Sequence, residues 1–331
     1  MQDRWAIEDI NGIDVQDLAP PTIVAKAGQK YVKGYALFFA QHMNDNTNEM
    51  YSRAIRAFFS YLEAIECPLQ RVTAAQVLAY AKYRTDKRRK PHLTLNSIRP
   101  HLSAIREFFN ACVLCGAITA NPAAAVKPPS RRLKHGTTPV IDASEVRQIL
   151  DHITESLDKQ TDYRDRAMIA TMAYCFFRIS AVLSFKVKDY SLRGGVAWLT
   201  ANEKGGKVHD MPVNDALKPL IDEYITQADL TDKPDAYLFP SSHGKSGKLN
   251  ERSYSRNAAW EMVRRRASAA GVHKPVGNHS FRATGITTFM NSGGALEKAQ
   301  MLAGHAHIST TKLYDRSEDD DKVEEISRLS F

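Results

Sequence analysis

Four residues near the C-terminus have the types and the spacing that phosphodiester chemistry needs. His279 and Arg282 lie three positions apart, and His305 and then Tyr314 follow further along the chain. A planar guanidinium group can hold two oxygens of a phosphoryl transition state at once. A tyrosine hydroxyl can attack phosphorus and form a covalent phosphotyrosine, and histidine is the natural proton acceptor near neutral pH. Together the four residues indicate transesterification at a phosphodiester bond.

Two further basic residues lie upstream, where they can join this chemistry. Arg178 follows the apolar run Tyr-Cys-Phe-Phe, in which a buried charge costs free energy unless it is paired. It therefore has either a functional role or a structural ion pair. Lys204 lies in the sequence Glu-Lys-Gly-Gly-Lys, and a lysine there, or less favourably Lys207, can protonate a departing oxygen. The same residues also fit an ordinary solvated hairpin turn.

Three short C-terminal helices must bring these side chains together. Asn278 is predicted to cap the first helix, in which the histidine and arginine share one face. A second helix over residues 296–303 ends at Gly304, directly before the second histidine. Ser309 is predicted to cap a third helix that carries Tyr314. Successive turns between these helices fold them back on one another.

The first half of the chain is predicted to form a small bundle of four helices. Apolar residues recur at helical spacing over residues 24–42. Three later helices are predicted to begin at capping signals or near a polar residue. These starts are Asn46 with Glu49, Thr73 with Gln76, and Asn96.

A second domain follows a segment that is rich in proline and basic residues and lacks an apolar period, which indicates a linker. Asp142 with Glu145 is predicted to cap the first helix of that domain. Residues 196–199 and 207–213 are predicted strands on either side of the Glu-Lys-Gly-Gly turn, and helices dominate from residue 251 onward. The predicted fold class is mainly α with a small antiparallel sheet.

Composition narrows the classes of partner. The chain has 331 residues, a formal net charge of +8 and a pI of about 9.2, which favours an anionic partner such as nucleic acid or a membrane surface. No stretch approaches the ~18 uninterrupted apolar residues of a membrane span. Cys112 and Cys115 have CxxC spacing, but no second pair accompanies them to complete a zinc site. Free thiols and a reducing, cytoplasmic location are therefore expected.

Residues 279–316, HSFRATGITTFMNSGGALEKAQMLAGHAHISTTKLYDR, resemble the signature of the tyrosine recombinase (phage integrase) family. The His-x-x-Arg box, the Leu-Ala-Gly-His step and the Ser-Thr-Thr-x-x-Tyr ending occur in the family's order. The upstream arginine box of the family is matched by Phe-Arg-Ile-Ser around Arg178, and its hairpin lysine by Lys204. The helical first half is similar to the family's core-binding domain, so that the resemblance covers the chain after about residue 23.

The resemblance implies a role for each residue and no metal ion or nucleotide cofactor. Tyr314 would attack the scissile phosphate, leaving a 3′-phosphotyrosine and a free 5′-hydroxyl. Arg178 and Arg282 would stabilise the pentacoordinate phosphorane, and His305 would hydrogen-bond a phosphoryl oxygen. A general base and a general acid would complete the site; these are His279 and Lys204.

The resemblance also implies an architecture of the two-domain Cre or Xer kind, closing on DNA as a C-shaped clamp. The expected divisions are an N-terminal extension (1–22), a helical, SAM-like core-binding domain (23–127), a linker (128–140), a mixed α/β catalytic domain (141–316) and a tail helix (317–331). So short an extension argues against the separate arm-binding domain of lambda-type integrases.

The expected partner is double-stranded DNA with inverted-repeat core sites. On it a homotetramer would exchange strands through a Holliday junction, and accessory DNA-bending proteins can take part. Each tail would pack into a neighbouring protomer, with docking on its own domain as the alternative. The expected location is the cytoplasm, at the nucleoid, with no membrane association. Each basic residue expected to contact DNA also fits an ordinary solvated surface. These residues are Lys87, Arg88, Arg89, Arg131, Arg132, Lys134, Arg252 and Arg256.

Two positions depart from the family pattern. Ala181 stands where the family usually has an acidic residue, and Phe176 stands where it usually has glycine. These departures keep a catalytically inactive DNA-binding protein open as an alternative. A type IB topoisomerase, which shares the same group of catalytic side chains, is the other.

Overall fold

The computed structural model describes residues 19–41, 45–128, 138–203, 207–244 and 246–315. The chain divides into two compact units, Met1–Arg132 and Leu133–Phe331. Within the described residues, no helix is both long enough and apolar enough to cross a membrane.

The first unit is helical. Its helices are α1 (Thr22–Ala27), α2 (Gln29–Ala40), α3 (Asp45–Ala64), α4 (Ala74–Thr85) and α5 (Leu95–Leu114). The prediction of one helix over residues 24–42 was wrong, because Gly28 adopts φ +105° and separates α1 from α2. The capping box at the start of α4 is confirmed: the backbone N–H of Thr73 donates to the Gln76 side chain at 3.0 Å. α3 begins at Asp45, so Asn46 lies inside the helix rather than capping it.

Aromatic side chains fill the core of this unit. Phe58 packs edge-on against Tyr80 with ring centroids 5.1 Å apart, and Phe59 packs against Phe108 at 5.2 Å. α2 approaches α5 closely at Gly34, where a Cβ atom would lie 3.0 Å from the sulfur of Cys112. Cys112 is buried and Cys115 half-buried, and both are free thiols, as predicted.

The second unit combines eight helices with two small sheets in its described residues. Its helices are α6 (Ala143–Glu155), α7 (Gln160–Tyr174), α8 (Ile179–Ser184), α9 (Lys218–Gln227), α10 (Arg256–Ala269), α11 (Asn278–Asn291), α12 (Leu296–Leu302) and α13 (Ile308–Lys312). The strands are β1 (Tyr190–Arg193), β2 (Val196–Glu203), β3 (Lys207–Val213), β4 (Pro240–Ser242) and β5 (Leu249–Ser253). The sequence predicted β2 and β3 but missed the other three strands, which are short.

The three-stranded sheet is antiparallel in the order β1-β2-β3. β2 and β3 pair from Ala197 with Val213 to Glu203 with Lys207, which forms the predicted hairpin. The predicted cap of α6 is confirmed, because the backbone N–H of Asp142 donates to Glu145 at 2.8 Å.

α7 is the central helix of this unit and is buried on all sides over most of its length. It contains buried charges: Arg164 and Asp165 are fully buried and lie 2.7 Å apart. Asp165 also accepts a hydrogen bond from Nε of Arg266 on α10 at 2.9 Å. Arg266, which is half-buried, is therefore an ion-pair partner of the fully buried Asp165.

Candidate active site

Arg282 links two segments that are distant along the chain. Its helix, α11, begins at Asn278, and Gly277 occupies the cap position that the sequence assigned to Asn278. The guanidinium group is buried and donates through Nη1 to the carbonyl oxygen of Phe176. Through Nη2 it donates to the carbonyl oxygen of Ala303 at 2.6 Å. Arg282 thereby joins the connection between α7 and α8 to the end of α12.

His305 lies directly after α12 and is buried, with 6% of its surface exposed. Its Nδ1 atom is 2.9 Å from the hydroxyl of Thr311, a fully buried residue of α13. Burial, together with the positive charges of Arg282 and Arg178, lowers the pKa of His305 to about 4. The ring is therefore neutral at pH 7. When Nδ1 accepts the hydroxyl proton of Thr311, Nε2 carries a proton that it can donate.

Tyr314 lies in the turn after α13 and not within a helix capped by Ser309 as predicted, because α13 starts at Ile308 and ends at Lys312. Its backbone N–H donates to the carbonyl of Thr311 at 2.9 Å, and its own carbonyl accepts from the Thr287 hydroxyl at 3.1 Å. The half-buried ring stacks on His305 with centroids 5.9 Å apart and planes 11° apart.

His279 is the second residue of α11. It is exposed and lies one turn before the buried Arg282. Its pKa is lowered, first by partial desolvation and then by the positive charges of Arg282, Arg256 and Arg178. The three nearby arginines all disfavour the charged imidazole. A neutral imidazole is the form that can accept a proton.

Arg178 is half-buried at the start of α8, in extended conformation with φ −68° and ψ 143°. Its charge acts on both His279 and His305, which places the guanidinium in the same cluster. Ala181 faces the core with 7% of its surface exposed and brings no carboxylate to α8.

The structure thus brings together Arg178, His279, Arg282, His305 and Tyr314. Lys204 lies outside the described residues, and Lys207 is the first residue of β3. In the part of the chain that the structure describes, no group of three or more histidine, cysteine or acidic residues could hold a metal ion.

The sequence did not single out two supporting residues of this cluster. Thr311 orients His305, and Thr287 holds the backbone of Tyr314. Thr311 lies in the Ser-Thr-Thr-x-x-Tyr motif, so its spacing from Tyr314 was the available signal. Thr287 has no such signal, because its contact partner lies 27 positions further along the chain.

Arg252 and Arg256 occupy different elements. Arg256 is the exposed first residue of α10, close enough to lower the pKa of His279. The sequence predicted mainly helices from residue 251 onward, but Arg252 lies on β5. Tyr254 between them is buried, and its ring lies 4.1 Å from the guanidinium carbon of Arg164.

The basic residues of the first unit lie in the exposed turn between α4 and α5. Lys87, Arg88 and Arg89 are all exposed. Arg88 is held by Asp86, with Nη2 2.9 Å from one carboxylate oxygen. Arg89 lies over the ring of Tyr83 at 4.3 Å. Arg131, Arg132 and Lys134, and the segment 317–331, lie outside the described residues.

This arrangement combines groups suited to one reaction. Two guanidinium groups provide positive charge, two neutral imidazoles can accept or donate a proton, and a phenol is stacked beside one of them. Such a cluster can bind an anionic phosphoryl group and attack it with the phenol oxygen.

Comparisons with known proteins agree with the fold. The profile of the phage integrase family matches residues 139–321, and the profile of the phage integrase N-terminal SAM-like domain matches residues 32–114. The chain is 26% identical over 281 residues to a tyrosine recombinase XerD of Shewanella oneidensis, covering 84% of this chain and 88% of the relative. It is 29% identical over 267 residues to a tyrosine recombinase XerC of Escherichia coli, covering 80% of this chain and 83% of the relative.

Two solved structures share the fold. One is the XerH site-specific recombinase bound to a palindromic difH substrate, with a TM-score of 0.68 and 17% identity over 85% of this chain and 79% of that one. The other is a lambda integrase tetramer bound to a Holliday junction, with a TM-score of 0.65 and 17% identity over 85% of this chain and 76% of that one. Because the first family profile covers more than half of the sequence, this chain belongs to the phage integrase family of tyrosine recombinases.

Proposed function

We propose that this chain carries out site-specific DNA recombination with Tyr314 as its nucleophile. The observation that carries the proposal is the stacking of Tyr314 on His305 beside the buried Arg282. A phenol in this position lies next to the positive charge that a phosphate would bind. The reaction conserves the energy of the phosphodiester bond in a covalent intermediate, so rejoining needs no nucleotide cofactor.

The first step transfers the DNA strand from oxygen to oxygen. The phenol oxygen of Tyr314 forms a bond to phosphorus as its proton passes to His279. The bond from phosphorus to the 5′-oxygen breaks, leaving a 3′-phosphotyrosine and a 5′-hydroxyl that takes its proton from Lys204. Arg178 and Arg282 stabilise the charge on the non-bridging oxygens, and His305 donates from Nε2 to one of them. Attack by a 5′-hydroxyl of another strand reverses the step and completes the exchange.

Both histidines are suited to these roles by their protonation. The lowered pKa of His279 keeps it neutral and able to accept the phenol proton at pH 7. The pKa of His305, about 4, keeps its ring neutral as well, so that it can act as a hydrogen-bond donor without adding charge. The two arginines then provide the fixed positive charge.

The DNA partner is an inverted-repeat core site, and four protomers exchange strands through a Holliday junction on two such sites. The core-binding domain (23–127) and the catalytic domain (141–316), joined by the linker (128–140) and preceded by the extension 1–22, would both bind the duplex. The backbone contacts would come from exposed basic residues. These are Lys87, Arg88, Arg89, Arg131, Arg132, Lys134, Arg252 and Arg256.

The tail, residues 317–331, would pack into a neighbouring protomer and couple the active sites. It has apolar residues at helical spacing, Val323, Ile326 and Leu329. A groove of about 530 Å³ on the second unit, lined in part by Leu150 and Phe289, offers apolar surface for such a helix. The reaction takes place in the cytoplasm at the nucleoid, and DNA-bending proteins can assist it.

The test is to trap the covalent intermediate. Tyr314→Phe protein first selects its binding site from a random duplex library, and that site is then nicked to make suicide substrates. Wild type, Tyr314→Phe and the control Tyr237→Phe, at a tyrosine half-buried like Tyr314, are incubated with these substrates in EDTA. We expect a protease-sensitive adduct at the DNA 3′ end with wild type and Tyr237→Phe, and none with Tyr314→Phe.

Other outcomes would contradict the proposal. Tight binding by wild type without any adduct would identify an inactive DNA-binding protein. Relaxation of a supercoiled plasmid that lacks the selected site would instead identify a topoisomerase. Cleavage that EDTA abolishes would require a different chemistry.

A further inference from the structure

Phe176 has an unusual backbone conformation beside the candidate active site. Its φ angle is +53°, in the left-handed region that glycine adopts freely and that costs a bulky side chain free energy. Such conformations persist only where the surrounding structure holds them in place. The family usually has glycine at this position, so the phenylalanine of this chain needs a compensating interaction.

The backbone of Phe176 serves Arg282 directly. Its carbonyl oxygen accepts a hydrogen bond from Nη1 of the buried guanidinium. The other acceptor of Arg282 is the carbonyl oxygen of Ala303, 2.6 Å from Nη2. The direction of the guanidinium plane therefore depends on how these two carbonyl groups are placed relative to each other.

The side chain of Phe176 packs in the same apolar cluster as Ala303, the residue that carries the second carbonyl group. It is buried in a small apolar cluster with Ile286, Ala299 and Ala303. Its ring also packs edge-on against Phe289, with centroids 6.3 Å apart and planes 68° apart. Tyr314 lies against the same cluster. This apolar cluster thus contains Phe176 and Ala303, whose carbonyl oxygens accept hydrogen bonds from Arg282, and it contacts the candidate nucleophile.

Space for this ring comes from a glycine on the opposite helix. At Gly285 on α11, a Cβ atom would overlap the carbonyl oxygen of Ala173 and lie 2.6 Å from Cε1 of Phe176. A side chain at position 285 would therefore compete with the phenylalanine for the same volume.

We propose that Phe176 is a positioning residue for the recombination reaction. Its ring holds the end of α12 against the α7–α8 connection, so that Arg282 and Tyr314 keep the relative placement needed for attack on phosphorus. This inference rests on the proposed function and adds a residue that does not touch the DNA.

The experiment separates DNA binding from cleavage. Phe176→Gly removes the ring but accommodates the backbone conformation, and Phe176→Leu retains much of the apolar volume. Phe239→Leu is the matched control, because Phe239 is equally buried in the same unit and stacks on Tyr224, away from Arg282. Binding affinity, thermal midpoint and the single-turnover rate of adduct formation at saturating protein are measured for each variant.

We expect Phe176→Gly to lose at least about tenfold in cleavage rate while its affinity for the site stays within about twofold. Phe176→Leu should recover part of the rate. Phe239→Leu should lower the thermal midpoint without changing the rate at saturation. A Phe176→Gly protein that cleaves as fast as wild type at saturation would overturn the inference.

A second measurement tests the inference even if wild type forms no adduct and the proposed function fails. The His305 ring is titrated by NMR in the absence of DNA. Displacement of the Arg282 guanidinium in Phe176→Gly should raise the pKa of His305 from its wild-type value, because that charge disfavours the imidazolium. If the protein forms no adduct and the pKa is also unchanged, the positioning role is excluded.

Discussion

The orientation of His305 depends on the hydroxyl of one buried residue. Thr311 is fully buried and contacts Nδ1 of the ring at 2.9 Å, while the ring face stacks on Tyr314. The backbone around the histidine is held separately, because its N–H donates to the carbonyl of Gln300 at 3.1 Å. Thr311 is therefore the residue through which the ring rotation, and hence the direction of Nε2, can be changed without altering the catalytic residues.

We predict that Thr311→Val slows cleavage by roughly tenfold. Valine keeps the branched shape but leaves Nδ1 without its hydroxyl partner, and such a loss costs about 1–2 kcal/mol, which is about tenfold in rate. The measurement is the single-turnover cleavage rate on a nicked site at saturating protein. Thr311→Ser, which keeps the hydroxyl, should stay close to the wild-type rate. Equal rates for the valine and serine variants would show that this hydroxyl does not orient the histidine.

α7 and α10 are joined by a buried ionic network. Asp165 is inaccessible to solvent and lies between Arg164 of its own helix, at 2.7 Å, and Arg266 of α10, at 2.8 Å. Nη1 of Arg164 also donates to the carbonyl oxygen of Pro240 at 3.0 Å. The network fixes the helix that begins with Arg256, and Arg256 lies beside His279. A connection between helices thus supports one side of the candidate site.

We predict that Asp165→Asn lowers the free energy of unfolding of the second unit by roughly 3–5 kcal/mol, because it leaves the buried Arg164 without a compensating charge. Asp235→Asn is the control: it removes the same charge from an exposed pair with Lys188, which solvent screens, and should change the free energy of unfolding far less. Both are measured by denaturant unfolding. A loss for Asp165→Asn no larger than that of the control would contradict a stabilising role for the network.

Local signals in the sequence predicted some secondary-structure elements well and others poorly. The capping boxes at Thr73 and Asp142 involve residues three positions apart, so the sequence alone sets them. The buried charges of α7 were not predicted, because their partners come from an element about 100 positions away. The short strand β5 has no strong apolar alternation, and the sequence therefore favoured a helix at Arg252.

In the candidate site, too, local features could be predicted from the sequence and contacts between distant residues could not. The residue types and order of Arg178, His279, Arg282, His305 and Tyr314 could be predicted because the motif is carried by sequence spacing. The two carbonyl acceptors of Arg282 could not, since one lies 106 positions before it and the other 21 after it. Tyr314 was expected in a helix, but α13 ends before it, and its backbone is held by the distant Thr287.

For the molecule as a whole, the net charge of +8 favours DNA, but the local arrangement decides which charges are available to it. In the turn between α4 and α5, Asp86 holds Arg88 through Nη2 at 2.9 Å and Nε at 3.0 Å. Hydrogen bonds from Arg88 lower the pKa of Asp86 to about 2, so the pair stays ionised at neutral pH. Within this turn, Asp86 thus offsets one of the three basic charges proposed to contact the DNA backbone.

We therefore predict that Asp86→Asn strengthens DNA binding and makes it more dependent on salt. Releasing Arg88 to a phosphate adds up to one contact, which should steepen the slope of log K against log salt concentration by about 0.9. Glu49→Gln is the matched control, because it makes the same charge change in the same unit by freeing Arg53 from an exposed pair on α3. The measurement is the affinity for the selected duplex at several salt concentrations. If the two variants shift the slope equally, the effect comes from net charge alone, and the turn at residues 86–89 does not contact the DNA backbone.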